Sequence, residues 1–379
     1  MSWESVKLGT ILTIATGKYD VNHSTEDGIY PFFTCAMLPF KSNTFSFDDE
    51  VILLPGNGAN VGEVMYYKGK LEAYQRTYVL HKINANVKYV FYFLKAHWKI
   101  SQSNQQYGSA TNYIRLDNIT DLQIPLPPLS IQKRIAAILD AADALRRKDQ
   151  ELLKKYDELA KAIFINMFGD PVRNEKGWDE DLIKNIASKE KHSIKAGPFG
   201  SSLKKEFYTK SGYKIYGQEQ VIADNFAIGD YYIDEEKFQA LKNCSIKEDD
   251  ILISLVGTYG KISVVPKNIE KGIINPRLMK ISLDRKLYNP YFFKYLLQTK
   301  QMYDRISTFS RGGTMDIVNV GIISEVVVII PPISAQDKFV DSLNNLKEQA
   351  QKIKFNETSN KLFNSLIHKA FKGELTAYE

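Results

Sequence analysis

The strongest constraint on the fold of this chain is an apolar heptad repeat between residues 125 and 169. One apolar side chain recurs every seven residues, at Ile131, Ile138, Leu145, Leu152 and Leu159. A second set follows four residues behind, at Ile135, Ala142, Tyr156 and Ile163, and is broken only at Asp149. This spacing predicts one helix of roughly 57 Å that buries a narrow stripe against another helix. Pro127 and Pro128 would end the preceding structure, Ser130 would cap the helix, and Gly169 would terminate it.

A partner for this helix is available at the C-terminal end of the same chain. Residues 331–336 repeat the Pro-Pro-x-Ser-x-Gln pattern of residues 127–132, and Gly373 repeats Gly169 at the same spacing. The four-and-three spacing continues at Phe339, Leu343, Leu346, Ala350 and Ile353. A heptad helix could also associate with the same helix of another molecule. Because this chain contains two such helices, one at the end of each half, pairing within the chain is favoured.

The repeat extends into the rest of the chain, which therefore consists of two halves with the same order of elements. Each half has a Gly-aromatic strand, a buried strand after an acidic turn, an aromatic helix and a closing strand before the double proline. The sequence predicts an α+β fold. Two mixed α/β domains, residues 1–127 and 170–330, alternate with two long helices, residues 128–169 and 331–379. The two globular parts share little sequence, as expected of two specificity modules on one scaffold.

Composition excludes several classes of protein. A hydrophobic content of 44% with 25% charged residues is typical of a globular protein, and no apolar run is long enough to span a membrane. The net charge of +6 permits nucleic acid as a partner without requiring it. Cys35 and Cys244 lie far apart in sequence and the five histidines are scattered, so no metal site is expected. A reducing cytoplasmic location fits this cysteine content.

Glycine-rich loops recur at corresponding places in the two halves, at residues 55–62, 107–115, 195–205, 257–261 and 310–315. Glycine lets backbone amides approach a phosphate closely, and neighbouring Lys or Arg supplies positive charge. Small polar side chains such as Ser, Thr and Asn can reach the edges of bases. Any one of these loops could be an ordinary turn, whereas the recurrence of the set favours contact with nucleic acid.

Motifs for nucleotide binding and catalysis are incomplete in this chain. Residues 56–61 end in Val where a dinucleotide fingerprint requires Gly. Residues 255–262 begin with Leu and end with Ile, where a P-loop requires Gly and Ser or Thr. The nearest carboxylate cluster, at residues 234–236, is typical of a solvated turn, and no Ser/His/Asp or Cys/His group can be assigned. Asn289 and Pro290 are interpreted as a helix start. The chain is therefore predicted to be non-catalytic.

The most specific motifs of the chain are the two Pro-Pro-x-Ser-x-Gln helix starts, the Phe-Gly-Asp-Pro sequence at Phe168–Pro171, and Gly312-Gly313-Thr314 before the closing strand. With these motifs, essentially the whole chain resembles the DNA-specificity subunits of type I restriction-modification systems. In that family two target-recognition domains each read one half of a split DNA site. Their two long helices pack antiparallel as a coiled-coil spacer, which gives the subunit a pseudo-twofold internal repeat.

The resemblance also implies partners and cofactors. The partners would be double-stranded DNA, two methyltransferase subunits, and translocating restriction subunits. S-adenosylmethionine, ATP and magnesium would belong to those partner subunits, and this chain would hold no cofactor. The chain departs from the family pattern in its second long helix, which turns polar at Glu357, Asn360 and Asn364. The contact with the first helix would be looser there, or these positions would face the methyltransferases.

The proposed reading mechanism assigns roles to specific side chains. Candidate phosphate contacts are the basic residues Lys18, Arg76, Arg115, Lys204, Lys205, Lys261, Arg277 and Arg311. Candidate base readers are the polar loop residues Asn57, Thr111, Asn112, Ser201, Thr258, Tyr259 and Thr314. Two other functions are considered: a coiled-coil interaction scaffold without DNA specificity, and a self-sufficient methyltransferase or nuclease. Selective duplex binding would exclude the first, and failure of the isolated chain to bind a cofactor would exclude the second.

Overall fold

The computed structural model describes residues 3–103, 113–255, 260–310, 319–355 and 358–375. The chain divides into two units, of which unit 1 comprises residues 1–153 and 352–379 and unit 2 comprises residues 154–351.

The elements are numbered in chain order over the described residues. The strands are β1 Ser5–Lys7, β2 Thr13–Thr16, β3 Tyr30–Phe33, β4 Phe40–Ser42, β5 Phe47–Pro55, β6 Met65–Ala73, β7 Thr77–His81, β8 Gln123–Pro125, β9 Asp179–Leu182, β10 Ile194–Ala196, β11 Tyr213–Tyr216, β12 Tyr232–Ile233, β13 Ile251–Ser254, β14 Ile262–Val264, β15 Gly272–Ile274, β16 Leu278–Ile281 and β17 Val327–Ile330. The helices are α1 Val87–Ser103, α2 Leu116–Thr120, α3 Leu129–Phe168, α4 Ile183–Ile186, α5 Gln218–Ala223, α6 Glu235–Ala240, α7 Pro290–Gln298, α8 Lys300–Ser310, α9 Val320–Ser324, α10 Ile333–Phe355 and α11 Thr358–Phe371. None of the helices in these ranges combines the length and hydropathy needed to cross a membrane.

The centre of unit 1 is a mixed sheet with the strand order β2-β7-β5-β6-β3-β4 in its described part. Side chains of β5 alternate between the two faces of this sheet, as a strand requires. Ile52 and Leu54 join the core formed with α1, while Val51 and Leu53 pack on the opposite face with Phe33. The hydrophobic run of β5 is therefore buried on both faces, which fixes its place in the middle of the sheet.

The described part of unit 2 places β13 in the position that β5 has in unit 1. The strand order around it is β10-β16-β13-β14, and a smaller sheet has the order β12-β11-β15. Ile251 and Ile253 join the core that contains α7, while Leu252 packs in the core around β11. As predicted, Asn289 caps α7, because its side chain accepts a hydrogen bond from the backbone N–H of Tyr291 at 2.9 Å.

In unit 1, the glutamine of the Pro-Pro-x-Ser-x-Gln motif closes the joint between the globular part and α3. Gln132 is 4% exposed, and its Oε1 accepts from the backbone N–H of Asn86 at 2.8 Å. Its Nε2 donates to the carbonyl of Pro127 at 2.7 Å. One buried amide thus satisfies a backbone donor before α1 and a backbone acceptor before α3.

The same joint occurs in unit 2. Gln336 is fully buried, and its Oε1 accepts from the backbone N–H of Asn289 at 2.9 Å. Its Nε2 donates to the carbonyls of Pro331, at 2.7 Å, and of Leu287, at 2.8 Å. The repeated motif is therefore explained by a repeated hydrogen-bonded joint.

A buried tyrosine supports each joint. The hydroxyl of Tyr89 donates to the carbonyl of Pro125 at 2.7 Å in unit 1, and the hydroxyl of Tyr288 donates to the carbonyl of Ile329 in unit 2. Burial raises the pKa of both phenols above the ordinary value, so both are protonated donors at neutral pH.

The long helices pair as the sequence predicts. In unit 2, the rings of Phe164 and Phe168 on α3 lie 5.5 and 5.8 Å from the ring of Phe339 on α10. In unit 1, the guanidinium of Arg146 on α3 lies 4.6 Å from the ring of Phe363 on α11. Within unit 2, Phe168 near the end of α3 contacts Phe339 near the start of α10, while the earlier residue Tyr156 lines a cavity with the later residue Ala350. The pairing in this unit is therefore antiparallel. This confirms the predicted α+β class with an antiparallel helix pair.

The predicted cap of α3 is wrong, because the helix begins at Leu129 and Ser130 lies inside its first turn, where the carbonyl of Pro128 accepts the first backbone hydrogen bonds. The helices end as predicted. Gly169 follows α3 with a φ of 75°, and Gly373 follows α11 with a φ of 77°. This left-handed conformation disfavours a side chain, which explains why both positions of the repeat are glycine.

The predicted buried stripe of α3 is wrong at three positions. Leu145, Leu152 and Leu159 are 48%, 40% and 46% exposed. The buried positions include Leu139 and Phe164. The physical reason is that α3 packs against helices of the globular parts as well as against its partner helix, and these contacts rotate the buried face.

The polar centre of the second helix lies at the start of α11. Asn360 and Asn364 are exposed, whereas Phe363 between them is buried. The two asparagines therefore lie on the solvent side of α11, and Glu357 lies outside the described residues.

Candidate nucleic-acid interface

In unit 1, Arg76 lies on the turn between β6 and β7. The carbonyl of Arg76 accepts from the backbone N–H of Gly56 at 2.9 Å and from Cys35 Sγ at 3.4 Å. Its side chain is exposed. The turn is thus fixed by its backbone, while the guanidinium remains available for a ligand.

The adjacent loop after β5 is fixed by the same cysteine. Cys35 Sγ donates to Oδ1 of Asn57 at 3.1 Å, and Nδ2 of Asn60 donates to the carbonyl of Cys35 at 2.8 Å. This bond uses the Oδ1 of Asn57 and does not involve its Nδ2 donor, and Asn57 lines the cavity described below. An amide donor of this kind can contact a phosphate or a base acceptor.

Four of the predicted contact residues come together around one cavity of unit 1. The cavity measures about 340 Å³ and is lined by Thr16, Gly56, Asn57, Gln75, Arg76, Tyr78, Tyr113 and Ile114. Lys18 adjoins it, because its neighbour Tyr19 accepts a hydrogen bond from Gln75. Arg115 adjoins it beside Tyr113, with its guanidinium 6.0 Å from the tyrosine ring. Thr111 and Asn112 lie outside the described residues.

In unit 2, Arg277 occupies the turn between β15 and β16. Its backbone N–H donates to Oδ1 of Asn275 at 2.9 Å, and its Nη1 donates to Oε1 of Gln218 at 3.4 Å. Nε2 of Gln218 in turn donates to Oγ of Ser254 at 2.7 Å. Ser254 ends β13 as Pro55 ends β5, so the arginine turn lies beside the end of the central strand in both units.

This second turn borders a cavity of about 450 Å³, and the basic residues that line the cavity are Lys205 and Arg277. The lining residues are Leu203, Lys205, Tyr208, Ile215, Gly217, Gln218, Glu219, Tyr231, Asn275, Pro276 and Arg277. Lys204 and Ser201 precede it on the same loop and are exposed, with Lys204 Nζ 3.7 Å from a Glu206 oxygen. Burial raises the pKa of Tyr208, so this phenol remains a neutral hydrogen-bond donor.

The structure does not bring Lys261 to this surface. Lys261 lines a different cavity, of about 440 Å³, together with Tyr156, Lys294 and Lys347. Thr258, Tyr259, Arg311 and Thr314 lie outside the described residues. The predicted interface of unit 2 therefore contains Ser201, Lys204, Lys205 and Arg277 among the residues that can be located.

Sequence reasoning missed the amide side chains that flank the two arginines. Gln75 precedes Arg76 directly, while Asn275 lies two residues before Arg277. Aligning the two halves at their arginines would have indicated both. Cys35 gave no such signal, because its contacts join segments that are distant in sequence. The described ranges contain no group of three or more His, Cys, Asp or Glu side chains that could hold a metal ion.

These features define a class of protein: a duplicated chain in which each unit carries one basic, amide-rich recognition surface and one part of a paired helical scaffold. A family model described as the type I restriction modification DNA specificity domain matches residues 1–155 and 187–362. The chain therefore belongs to the family of type I restriction-modification DNA specificity proteins.

Individual relatives agree with this assignment. The EcoDI specificity subunit of Escherichia coli is 27% identical over 420 residues, covering 100% of this chain and 89% of the relative. The MjaVIII specificity subunit of Methanocaldococcus jannaschii is 22% identical, with 96% and 92% covered.

Solved structures show the same fold. The S subunit of a type I restriction-modification system from M. genitalium matches with a TM-score of 0.60 at 17% identity, covering 97% of this chain and 96% of that chain. A second chain, from a structure of type I restriction-modification complex assembly, matches with a TM-score of 0.54 at 14% identity, with 99% and 98% covered.

Proposed function

We propose that this chain is the non-catalytic subunit that gives a type I restriction-modification complex its DNA specificity, with each unit reading one half of a bipartite site. The observation that carries this proposal is the equivalent placement of Arg76 and Arg277. Each lies on a turn beside the end of a central strand, close to an amide side chain, in its own unit. Arginine and amide groups together supply the donors that hold phosphates and read base edges.

The partners follow from the same proposal. They are double-stranded DNA, two methyltransferase subunits, and translocating restriction subunits, and S-adenosylmethionine, ATP and magnesium belong to those subunits. Leu145 and Leu152 of unit 1 lie seven residues apart on α3 and are exposed. An apolar stripe of this kind suits a helix of a partner subunit, which would cover it by coiled-coil packing.

Sequencing the methylated bases of a host that carries this chain with its methyltransferase tests the function. We expect one bipartite motif whose two specific parts are separated by unspecified bases, because two units read two half-sites. An interaction scaffold without DNA specificity is the alternative. That alternative predicts that the chain with its methyltransferase binds all duplexes equally in a filter-binding assay and that deleting the chain leaves the methylated motif unchanged.

Replacing Arg76 or Arg277 with alanine is expected to weaken binding to every duplex sequence and to lower the salt slope of log affinity by about 1. The reason is that each variant loses one phosphate contact and the counterion released with it. Titration of the complex with methyltransferase at several salt concentrations measures the slope. Lys68→Ala is the control, because Lys68 is an exposed cation in the middle part of β6 and pairs with Glu50 of β5. An unchanged slope in both arginine variants would contradict the placement of the interface.

A further inference from the structure

The most exposed large apolar side chain of each unit, over the described residues, lies on a loop beside its arginine turn. Leu38 of unit 1 is 81% exposed, and Phe199 of unit 2 is 86% exposed. Scattered exposed apolar residues are ordinary on protein surfaces. In each unit, however, the loop that carries this side chain is attached to the arginine turn next to the proposed DNA interface, and that tendency does not explain the attachment.

In unit 1, the loop between β3 and β4 is attached to the arginine turn at its base. Cys35 bonds both the carbonyl of Arg76 and the side chain of Asn57. Leu38 follows Cys35 by three residues, so it lies within about 11 Å of that anchor. Met37 beside it is also exposed, at 48%. A short apolar tip thus projects from a base that is fixed to the recognition surface.

In unit 2, a loop after a different strand is attached to the arginine turn: β10 pairs with β16 as β2, not β3, pairs with β7 in unit 1. The backbone N–H of Gly197 donates to the carbonyl of Leu278 at 2.9 Å. A Cβ at Gly197 would lie 1.9 Å from the carbonyl oxygen of Asn275, so only glycine permits this approach to the arginine turn. Phe199 follows two residues later, and its carbonyl accepts from the backbone N–H of Ser202 at 3.0 Å.

We propose that Leu38 and Phe199 are apolar wedges, each of which enters a base step of its half-site and partly unstacks it. The proposal rests on the function proposed above and adds that the DNA is deformed at a step next to the contacts of Arg76 and Arg277. Leu and Phe are among the side chains that proteins insert between base pairs, where the apolar faces of the bases replace water. Deformation of this kind contributes to specificity because steps differ in the free energy needed to unstack them.

The charges around the two tips favour DNA over a protein partner. Arg76 lines the cavity of unit 1, with Lys18 and Arg115 close to its lining residues in sequence, and Lys205 and Arg277 line that of unit 2, next to Lys204. The core of a protein interface is depleted of charged residues, whereas a wedge in DNA must be flanked by cations that hold the phosphates on either side. Each tip is therefore an apolar side chain within a basic surface.

The test uses the complex with its methyltransferase and duplexes of the recognised sequence, with 2-aminopurine placed in turn at each position except the methylated adenine. We expect wild-type complex to raise the fluorescence at one step of each half-site. Leu38→Ser should abolish the rise in one half-site and Phe199→Ser in the other, and each should weaken binding roughly tenfold. Both side chains are exposed, so the variants are expected to fold.

Ile29→Ser is the matched control, because Ile29 is 78% exposed but lies at the opposite end of β3 from Leu38. It should leave the fluorescence and the affinity unchanged. Wild-type fluorescence in both wedge variants, with selective methylation retained, would overturn the wedge and leave the proposed function intact. Loss of methyltransferase from purified Leu38→Ser complex would assign this tip to a protein interface and would also overturn it. A wild-type complex without preference for any duplex would overturn the proposed function as well.

Discussion

Gln336→Glu is expected to destabilise unit 2 by about 4 kcal/mol at neutral pH. The Nε2 of Gln336 donates to two carbonyl oxygens, and the side chain is fully buried. A carboxylate would place a negative charge against both oxygens and would supply no donor. Native-state hydrogen exchange at the amides of α7 and β17 would measure the change in the free energy of opening.

The pH dependence separates this charge effect from simple loss of packing. Burial should raise the pKa of the introduced carboxyl in the folded state above its unfolded value. The penalty is then complete above the folded pKa and is lost as the pH falls towards the unfolded value. Gln351→Glu adds the same charge at an exposed position of α10 and should have little effect. Equal destabilisation by both variants would show that the joint is not responsible.

Asp143→Asn is expected to destabilise unit 1 by about 3 kcal/mol. Asp143 lies on α3 with its side chain 2% exposed, and three cations surround it. Lys95 Nζ of α1 lies 3.7 Å away, Arg147 Nη2 lies 2.6 Å away, and the guanidinium of Arg146 also contacts the carboxylate. Asparagine removes the charge that these cations share, and Lys95 and Arg146 are too little exposed to recover full hydration. Urea unfolding followed by hydrogen exchange in α1 measures the loss.

The same carboxylate predicts a pH window. Burial alone would raise the pKa of Asp143, but Lys95 and the two arginines hold this pKa below its usual range. A group with a depressed folded pKa stabilises the protein above its unfolded pKa, and the contribution is lost as the pH falls through the folded value. The difference between wild type and Asp143→Asn should therefore shrink below about pH 4.

Two comparison variants make this result specific. Asp140→Asn changes a neighbouring carboxylate that is 42% exposed, and it should cost less than Asp143→Asn. Adding Lys95→Met to Asp143→Asn should restore part of the stability, because it removes a repelling charge. Strict additivity of the two changes would contradict the proposed interaction.

The sequence predicted the helical scaffold well because its signals are local and periodic. Heptad spacing and terminal glycines depend on neighbouring residues in one helix. The orientation of α3 could not be predicted in the same way. Phe164 lies 5.3 Å from the ring of Tyr295 on α7, in addition to its contact with α10. Such contacts come from segments far away in sequence, and they leave Leu145 exposed where the heptad pattern predicted burial.

The geometry of the candidate site could not be predicted from the sequence. The phosphate contacts assigned to Arg76 and Arg277 stay predictions, but the structure places both residues on equivalent turns. Lys261 had the same sequence signal but lies on a different cavity. Cys35 could not be recognised, since its importance comes from hydrogen bonds to two loops that only the folded sheet brings together.

The glutamine joints have a consequence for how such chains can change. Gln132 and Gln336 bond to the globular parts only through main-chain N–H and C=O groups. Main-chain groups are supplied by almost any amino acid, so a recognition module can acquire a different set of side chains without losing its attachment to the helix. Recombination that exchanges one globular part for another would therefore change the recognition surface and leave its hydrogen-bonded joint to the helix unchanged.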